Sequence, residues 1–271
     1  MEPPEYSGPL VQFENVSITF DVKPVLQDIS FSVERGQMLI ILGPAGCGKS
    51  VLLKLANGLL GPDSGTIRIF GQEITTMREA DLYKLRAHIG MVFQESALFD
   101  SINVEDNVAY RLKEEHVAED EAHTRVVEAL KFVELEHAID KYPSELSGGM
   151  RRRVSIARAI ISNPDLILYD SPTGGLDPIT STTIIELVMK QRDVSHTTSL
   201  MVTHRLQDAF MLATHRFEDG KGMVPLPKDA PNHGIDEGTK FLVLNEGGIK
   251  FHGTTEELVH SEDPWIKEYL A

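Results

Sequence analysis

The run Gly43-Pro44-Ala45-Gly46-Cys47-Gly48-Lys49-Ser50 sets glycines, a lysine and a hydroxyl at a spacing suited to gripping a chain of phosphates. Glycines let successive backbone N–H groups converge on phosphate oxygens. Lys49 can then reach the β- and γ-phosphates, and the Ser50 hydroxyl can ligate Mg²⁺. The surroundings suit the same chemistry. Met38 to Leu42 is a short continuous apolar run, as in a strand buried on both faces. From Ser50 to Leu60 the apolar residues fall at helical spacing, so the loop opens a helix whose N-terminus favours an anion.

Two further segments carry chemistry. Leu166-Ile167-Leu168-Tyr169-Asp170 reads as an apolar strand ending in a carboxylate, the form expected of an aspartate on the Mg²⁺ side of a phosphate site. Leu146-Ser147-Gly148-Gly149-Met150 opens a helix that carries Arg151, Arg152, Arg153 and Arg158. A Ser-Gly-Gly turn is by itself a helix cap, yet N–H groups at a helix start are what a second phosphate site needs. The arginine run reads as a solvated helix face, partly turned to nucleotide. Cys47 sits in the loop at a helix N-terminus, where a thiol pKa can fall, although a small residue that merely fits the loop explains it as well. The ten histidines show no metal-ligand spacing.

The elements that must position these residues alternate. Val11 to Phe20, Ile29 to Val33 and Thr66 to Phe70 alternate like strands, and Ile89 to Gln94, Leu166 to Tyr169 and Ser199 to Thr203 read as strands of a central sheet. Arg78 to Arg86, Glu119 to Val133 and Ile179 to Gln191 read as helices, and the pattern from about Ser96 to Ile161 is helical. Strand–helix alternation around a helical insert predicts an α/β fold with a mostly parallel sheet and an α-helical subdomain. Arg216 to Lys240 carries Pro225, Pro227 and Pro231 and reads as a loop or small hairpin excursion. Phe241 to Ala271 predicts a strand pair and a terminal helix.

The chain has 271 residues, 41% apolar and 25% charged, with a net charge of −15. That is ample for one large globular domain and argues against a nucleic-acid partner, which needs a basic surface. One cysteine suits a reducing compartment. The acidic, proline-rich Met1–Glu5 is unlike a signal peptide, and the longest apolar runs are too short to span a bilayer.

Taken together, the motifs resemble the nucleotide-binding domain of ABC transporters over nearly the whole chain. In the family's order they are Walker A at Gly43–Ser50, the Q-loop Gln94, the signature Leu146–Met150, Walker B ending at Asp170, the D-loop Gly175-Leu176-Asp177 and the switch His204. The resemblance implies a P-loop NTPase (RecA-like) core at 10–95 and 162–215 with an N-terminal antiparallel β part, an α-helical subdomain at 96–161, an insertion at 216–240 and C-terminal strands and helix at 241–271, all one domain over 9–271. It implies ATP and Mg²⁺ as cofactors. Nucleotide contacts would come from Gly43, Pro44, Ala45, Gly46, Cys47, Gly48, Lys49, Ser50 and Val51, from Phe20 stacked on adenine, and from Ser147, Gly148, Gly149 and Asp177. Ser50, Gln94 and Asp170 would hold the metal, with Gln94, His204 and position 171 at the catalytic centre. The partners implied are a second copy or a paralogous ATPase in a head-to-tail dimer, and integral-membrane permease subunits. The place implied is cytoplasmic, on the inner face of the cell membrane.

The segments Phe93–Ser101 and Asn103–Tyr110, the methionine-ended signature and Asp263-Pro264-Trp265 resemble the Mla/Mce-type phospholipid-transport ATPases. Glycine-betaine and methionine importers share the Ser-Gly-Gly-Met signature, but usually carry larger C-terminal regulatory regions than the room after Gly253 allows. One departure stands out. Where the family has a glutamate that polarises water, this chain has Ser171. A hydroxyl is no base near neutral pH, and losing a positioned base costs about 10²–10⁴-fold in rate. A lipid-transport motor, a nucleotide-gated dimerisation switch and an osmolyte or amino-acid importer all remain readings. A repair or translation ATPase is disfavoured by the acidic charge and by the lack of coiled-coil heptads and of a second cassette. Leu98, Phe99 and Ile102 are expected to be exposed, in a groove for a permease helix.

Overall fold

Strands and helices alternate along most of the chain. In a computed structural model that describes residues 6–227, 229 and 233–271, they run β1 (Val11–Phe20), β2 (Lys23–Val33), β3 (Met38–Leu42), α1 (Lys49–Ala56), β4 (Ser64–Ile69), β5 (Gln72–Glu73), α2 (Glu79–Leu85), β6 (Ile89–Val92), α3 (Val104–Glu114), α4 (Glu119–Phe132), α5 (Gly148–Ile160), β7 (Leu166–Asp170), α6 (Pro178–Ser195), β8 (Thr198–Val202), α7 (Leu206–Thr214), β9 (His215–Glu218), β10 (Gly222–Pro225), β11 (Thr239–Asn245), β12 (Gly248–Thr254), α8 (Thr255–Val259) and α9 (Pro264–Leu270). Met1–Glu5 and Pro231, on which expectations above rest, lie outside the described residues.

Two sheets carry the architecture. The first is antiparallel, in the order β2-β1-β4-β5. The second has six strands in the order β12-β11-β3-β8-β7-β6. Its strands β11, β3, β8, β7 and β6 pair in parallel, and only β12 turns back antiparallel at one edge. The strand β3 shows why the sheet is covered on both faces. All five of its residues are buried, and with a period of two they point alternately to opposite sides. Met38, Ile40 and Leu42 join Ile167, Tyr169 and Met201 in a core beneath α3 to α7. Leu39 and Ile41 join Leu168, Leu200 and the α1 leucines in a second core closed by β1, β2 and β4. The parallel strands end together at one side of the sheet, where loops before α1, α6 and α7 open; this is where an open α/β sheet places its ligands.

The α/β reading with an antiparallel N-terminal part and an intervening helical region holds. Details differ for physical reasons. The first helix stops at Ala56 rather than Leu60, because Asn57 ends it and Gly58 turns to φ +63°. The strand expected to reach Gln94 stops at Val92, since the chain there leaves the sheet. The Arg78–Arg86 segment is a helix to Leu85 followed by a 3₁₀ turn over Arg86–His88. On α4, Val126 and Leu130 are buried but Val127 is 36% exposed. Two short helices, not one, follow β12. At the start of the 216–240 stretch, β9 and β10 form a hairpin. It is pinned to α6, where Asp193 Oδ2 accepts from the Phe217 N–H at 2.7 Å and buried Arg192 donates to the His215 carbonyl at 2.9 Å.

Candidate functional site

The Gly43–Ser50 loop leaves the end of β3 and turns directly into α1. Its backbone path requires glycine at both ends. Gly43 has φ +143°, and a Cβ there would lie 2.3 Å from the Leu244 carbonyl oxygen. Gly48 has φ +101°, with a Cβ 2.7 Å from Leu26. The start of the loop is also held by the far end of the chain, where the Tyr269 hydroxyl accepts from the Gly43 N–H at 3.0 Å. Pro44, Ala45 and Gly46 form an exposed rim, while Lys49 is buried and Val51 half-buried. Lys49 Nζ donates to the carbonyls of Gly43 and Pro44, each at 2.8 Å. No carboxylate pairs with this ammonium among the described residues, so its charge is available to an incoming anion. Ser50 Oγ donates to Asp170 Oδ1 at 2.9 Å, joining residues 120 positions apart.

A hydroxyl and a carboxylate in contact at the mouth of an anion-gripping loop form a hard oxygen donor set, which fits a small divalent cation that also takes phosphate oxygens. Among the described residues, no group of three His, Cys, Asp or Glu side chains could hold a metal without such help. Gln94 lies just past β6 and is exposed. A Cβ on Gly174 would come within 3.5 Å of its Cγ, so Gln94 stands beside the turn that follows Asp170.

Ser171 begins that turn. It sits at φ +47° and is buried, its N–H donating to the Val202 carbonyl at 2.9 Å and its carbonyl accepting from Gly174. Among the described residues the buried carboxylates are Asp170 and Asp208. The first is engaged by Ser50, and the second accepts from Thr173 Oγ1 at 2.5 Å and faces Arg205 at 3.4 Å. Neither is a free base in this state. His204 is exposed just beyond β8. Phe20 ends β1 at 43% exposure, on the hairpin whose returning strand β2 passes the loop at Gly48.

Ser147 caps α5, its Oγ accepting from the Met150 N–H at 3.2 Å. Ser147 and Gly148 are exposed. Gly149 must lack a side chain, because a Cβ would meet Thr180 of α6 at 2.4 Å. Asp177 caps α6, accepting from the N–H groups of Ile179 and Thr180, each at 3.0 Å. Bonding from the Thr180 hydroxyl, then from backbone N–H groups, holds its carboxyl below the usual range. The structure thus gathers Lys49, Ser50, Asp170, Gln94 and Ser171 around one mouth and displays Ser147–Gly149 on a separate helix start.

For Cys47 the reading as a small residue that fits the loop stands over the activated thiol, and the expectation for the arginine run is corrected. Burial raises the Cys47 thiol pKa, outweighing the nearby Lys49 charge, so the loop does not activate this thiol. The arginine run is not a solvated face. Arg151 donates to the Leu146 carbonyl and Arg153 to that of Val133. Arg158 takes the carbonyls of Ala97 and Ser96 at 2.7 and 2.9 Å. Arg152 is buried and reaches the carbonyls of Phe93 and Gln94. The sequence reading named Arg152 without its role and missed Asp208 and Tyr269. A signal for Arg152 existed, since Arg152, Ser155, Ile156 and Ala159 make one helical stripe and its other members are small or apolar. Tyr269 had none, lying 226 residues from its partner.

Comparison with known proteins agrees with this geometry. The model of the family described as ABC transporter matches residues 26–174. A methionine import ATP-binding protein, MetN 2 of Bacillus cereus, is 38% identical over 93% of this chain and 72% of its own length. The intermembrane phospholipid transport system ATP-binding protein MlaF of Escherichia coli K12 is 34% identical over 96% of this chain and 88% of its own. A dimeric bacterial ABC transporter cassette superposes with a TM-score of 0.76 at 27% identity, covering 90% of this chain and 98% of that one. The chain belongs to the ABC transporter family, as one of its ATP-binding ATPase subunits.

Proposed function

We propose that this chain binds Mg-ATP at Gly43–Ser50 and drives a permease that moves phospholipid or another hydrophobic substrate. The observation that carries the nucleotide site is the Ser50–Asp170 contact at the mouth of a loop whose lysine has no carboxylate partner. ATP phosphates would take the loop N–H groups and the Lys49 ammonium in place of the Gly43 and Pro44 carbonyls. Ser50 and Asp170, with Gln94, would hold Mg²⁺, which when bound neutralises developing charge on the phosphates. Phe20 would stack on the adenine. Ser147, Gly148 and Gly149 of a second copy or of a paralogue, with Asp177 nearby, would close over the γ-phosphate, because a helix start with exposed N–H groups suits an anion. The dimeric state of a solved cassette supports that arrangement.

At the γ-phosphate, His204 and the backbone at Ser171 would orient the attacking water. Ser171 offers a hydroxyl and no base, so the step in which a proton leaves water is left to a slow route. That observation also favours a second reading, a switch that dimerises on ATP with little turnover.

No helix among the described residues is long and apolar enough to cross a membrane. We place the chain on the inner face of the cell membrane, docked on permease subunits through the segment from Leu98 to Tyr110. Phe99 and Tyr110 are each 45% exposed, with ring centroids 4.9 Å apart. Leu98 and Ile102 are only half-buried, not fully exposed as expected. The lipid cargo rests on the resemblance of this segment and of Asp263-Pro264-Trp265 to phospholipid-transport ATPases, against an amino-acid importer. The test is reconstitution of the chain with its co-purified permease in vesicles. ATP-dependent movement of labelled phospholipid, with none of methionine or betaine, is expected; methionine movement alone overturns the cargo.

A further inference from the structure

Arg152 is an arginine with 4% exposure and no carboxylate at hydrogen-bonding distance. Burying a guanidinium without a paired anion is costly unless its donors are satisfied. Here carbonyl oxygens do that work, and they come from two segments far apart in the chain. Arg152 Nη1 donates to the Phe93 carbonyl at 2.8 Å and Nη2 to that of Gln94. On the other side the Ser171 and Gly174 carbonyls lie at 3.5 and 3.4 Å. Only Nε finds no partner. The planar fork of arginine can serve several carbonyls at once, which a lysine ammonium on one flexible stem does less well. Burial lowers its pKa, opposed by the charge of Asp170 nearby.

The rest of the run makes the contrast. Arg151 and Arg153 bind carbonyls of the α-helical region itself, and Arg158 binds only Ser96 and Ala97. Arg152 alone joins α5, the Gln94 segment and the turn after Asp170. It sits five positions after Ser147, on the same rigid helix. We infer that Arg152 is a positioning residue, clasping the Gln94 backbone and the Ser171–Gly174 turn to α5 so that the three segments move as one body. A displacement of Gln94 toward bound nucleotide is then carried to the helix start that presents Ser147, and to the residue beside Asp170. This role rests on the nucleotide site proposed above.

The test compares Arg152→Gln, Arg152→Lys and Arg158→Gln in the full chain. Mg-ATP affinity, steady-state turnover and amide hydrogen exchange with and without Mg-ATP are measured for each. Arg152→Gln is expected to keep Mg-ATP affinity within about threefold, to lower kcat at least tenfold, and to lose the ATP-dependent change in exchange at Ser147–Arg151 while keeping it in the Gly43–Ser50 loop. Arg152→Lys is expected to fall between Arg152→Gln and the unaltered chain, because one carbonyl at a time can still be held. Arg158→Gln should stay near the unaltered chain in both readouts. Exchange needs no turnover, so slow hydrolysis does not blunt the comparison; if Arg152→Gln does not fold, Arg152→Lys against Arg158→Gln decides. Equal effects of the Arg152 and Arg158 variants, or an unchanged exchange response at Ser147–Arg151, overturn the clasp. Failure of the unaltered chain to bind Mg-ATP overturns the nucleotide site instead.

Discussion

The two helix starts that could face phosphate are built differently. The Gly43–Ser50 loop is enclosed: β11 lies against its first glycine, β2 against Gly48, and the Tyr269 hydroxyl holds its start. Its lysine and serine are already in contact with their neighbours. The Ser147–Met150 start is open, with Ser147 and Gly148 exposed and a single cap hydrogen bond. An enclosed loop has had its conformational entropy removed by folding, so it can bind a ligand alone. An open helix start, packed on α6 only at Gly149 and exposed at Ser147 and Gly148, has work to do only when another surface arrives. The difference divides binding from closure, and each half can be broken without the other.

The largest effect is expected at the catalytic gap beside the enclosed loop. Ser171→Glu should raise turnover of the assembled transporter about 10²–10⁴-fold, roughly 3–5 kcal/mol of barrier. Rapid turnover in the unaltered protein, or no gain in a variant that still binds ATP and dimerises, would show that the Ser171 position is not what limits the rate. Lys49→Ala should weaken Mg-ATP binding about 100-fold, since charged hydrogen bonds contribute about 1.5–3 kcal/mol each. Calorimetric titration measures it, and unchanged affinity removes the loop from nucleotide binding.

Ser147→Ala tests the open half. It should leave Mg-ATP affinity of the single chain unchanged, weaken ATP-driven dimerisation, and cost about 1 kcal/mol of stability as a lost helix cap. Sedimentation with and without Mg-ATP reads the difference; an equal loss of monomer affinity would join the halves that the comparison separates. The smallest effect concerns Cys47. Its raised pKa means the thiol form persists at pH values where an ordinary cysteine is already thiolate, and only the thiolate reacts. Alkylation by iodoacetamide at pH 7 should therefore be slower than for a free thiol, and should accelerate on raising the pH further than a free thiol needs. Mg-ATP should slow it again if the loop closes over phosphate.

Residue order alone determined what depends on local backbone geometry. The glycines of Gly43–Ser50, the apolar run Met38–Leu42 before them and the strand Leu166–Asp170 each write their conformation into a few consecutive residues, so the tight glycine-rich loop and the parallel sheet were legible. The Ser147 cap and the hairpin tendency of the Arg216–Lys240 stretch were legible for the same reason. Tertiary structure alone decided what depends on partners distant in the chain. The Ser50–Asp170 contact was inferable only from a family pattern, and nothing local places Tyr269 on Gly43. The arginine run shows the limit most plainly. Arg151, Arg152 and Arg153 are identical in type and adjacent in order, yet one is buried and two are half-buried. A helix turns about 100° per residue, so neighbours face different surroundings, and a guanidinium bonds to whichever carbonyls the fold brings to its face. Those carbonyls belong to Gln94 and its neighbours, 58 to 62 residues away for Arg152 and Arg158, and carry no side-chain signature that a sequence could display.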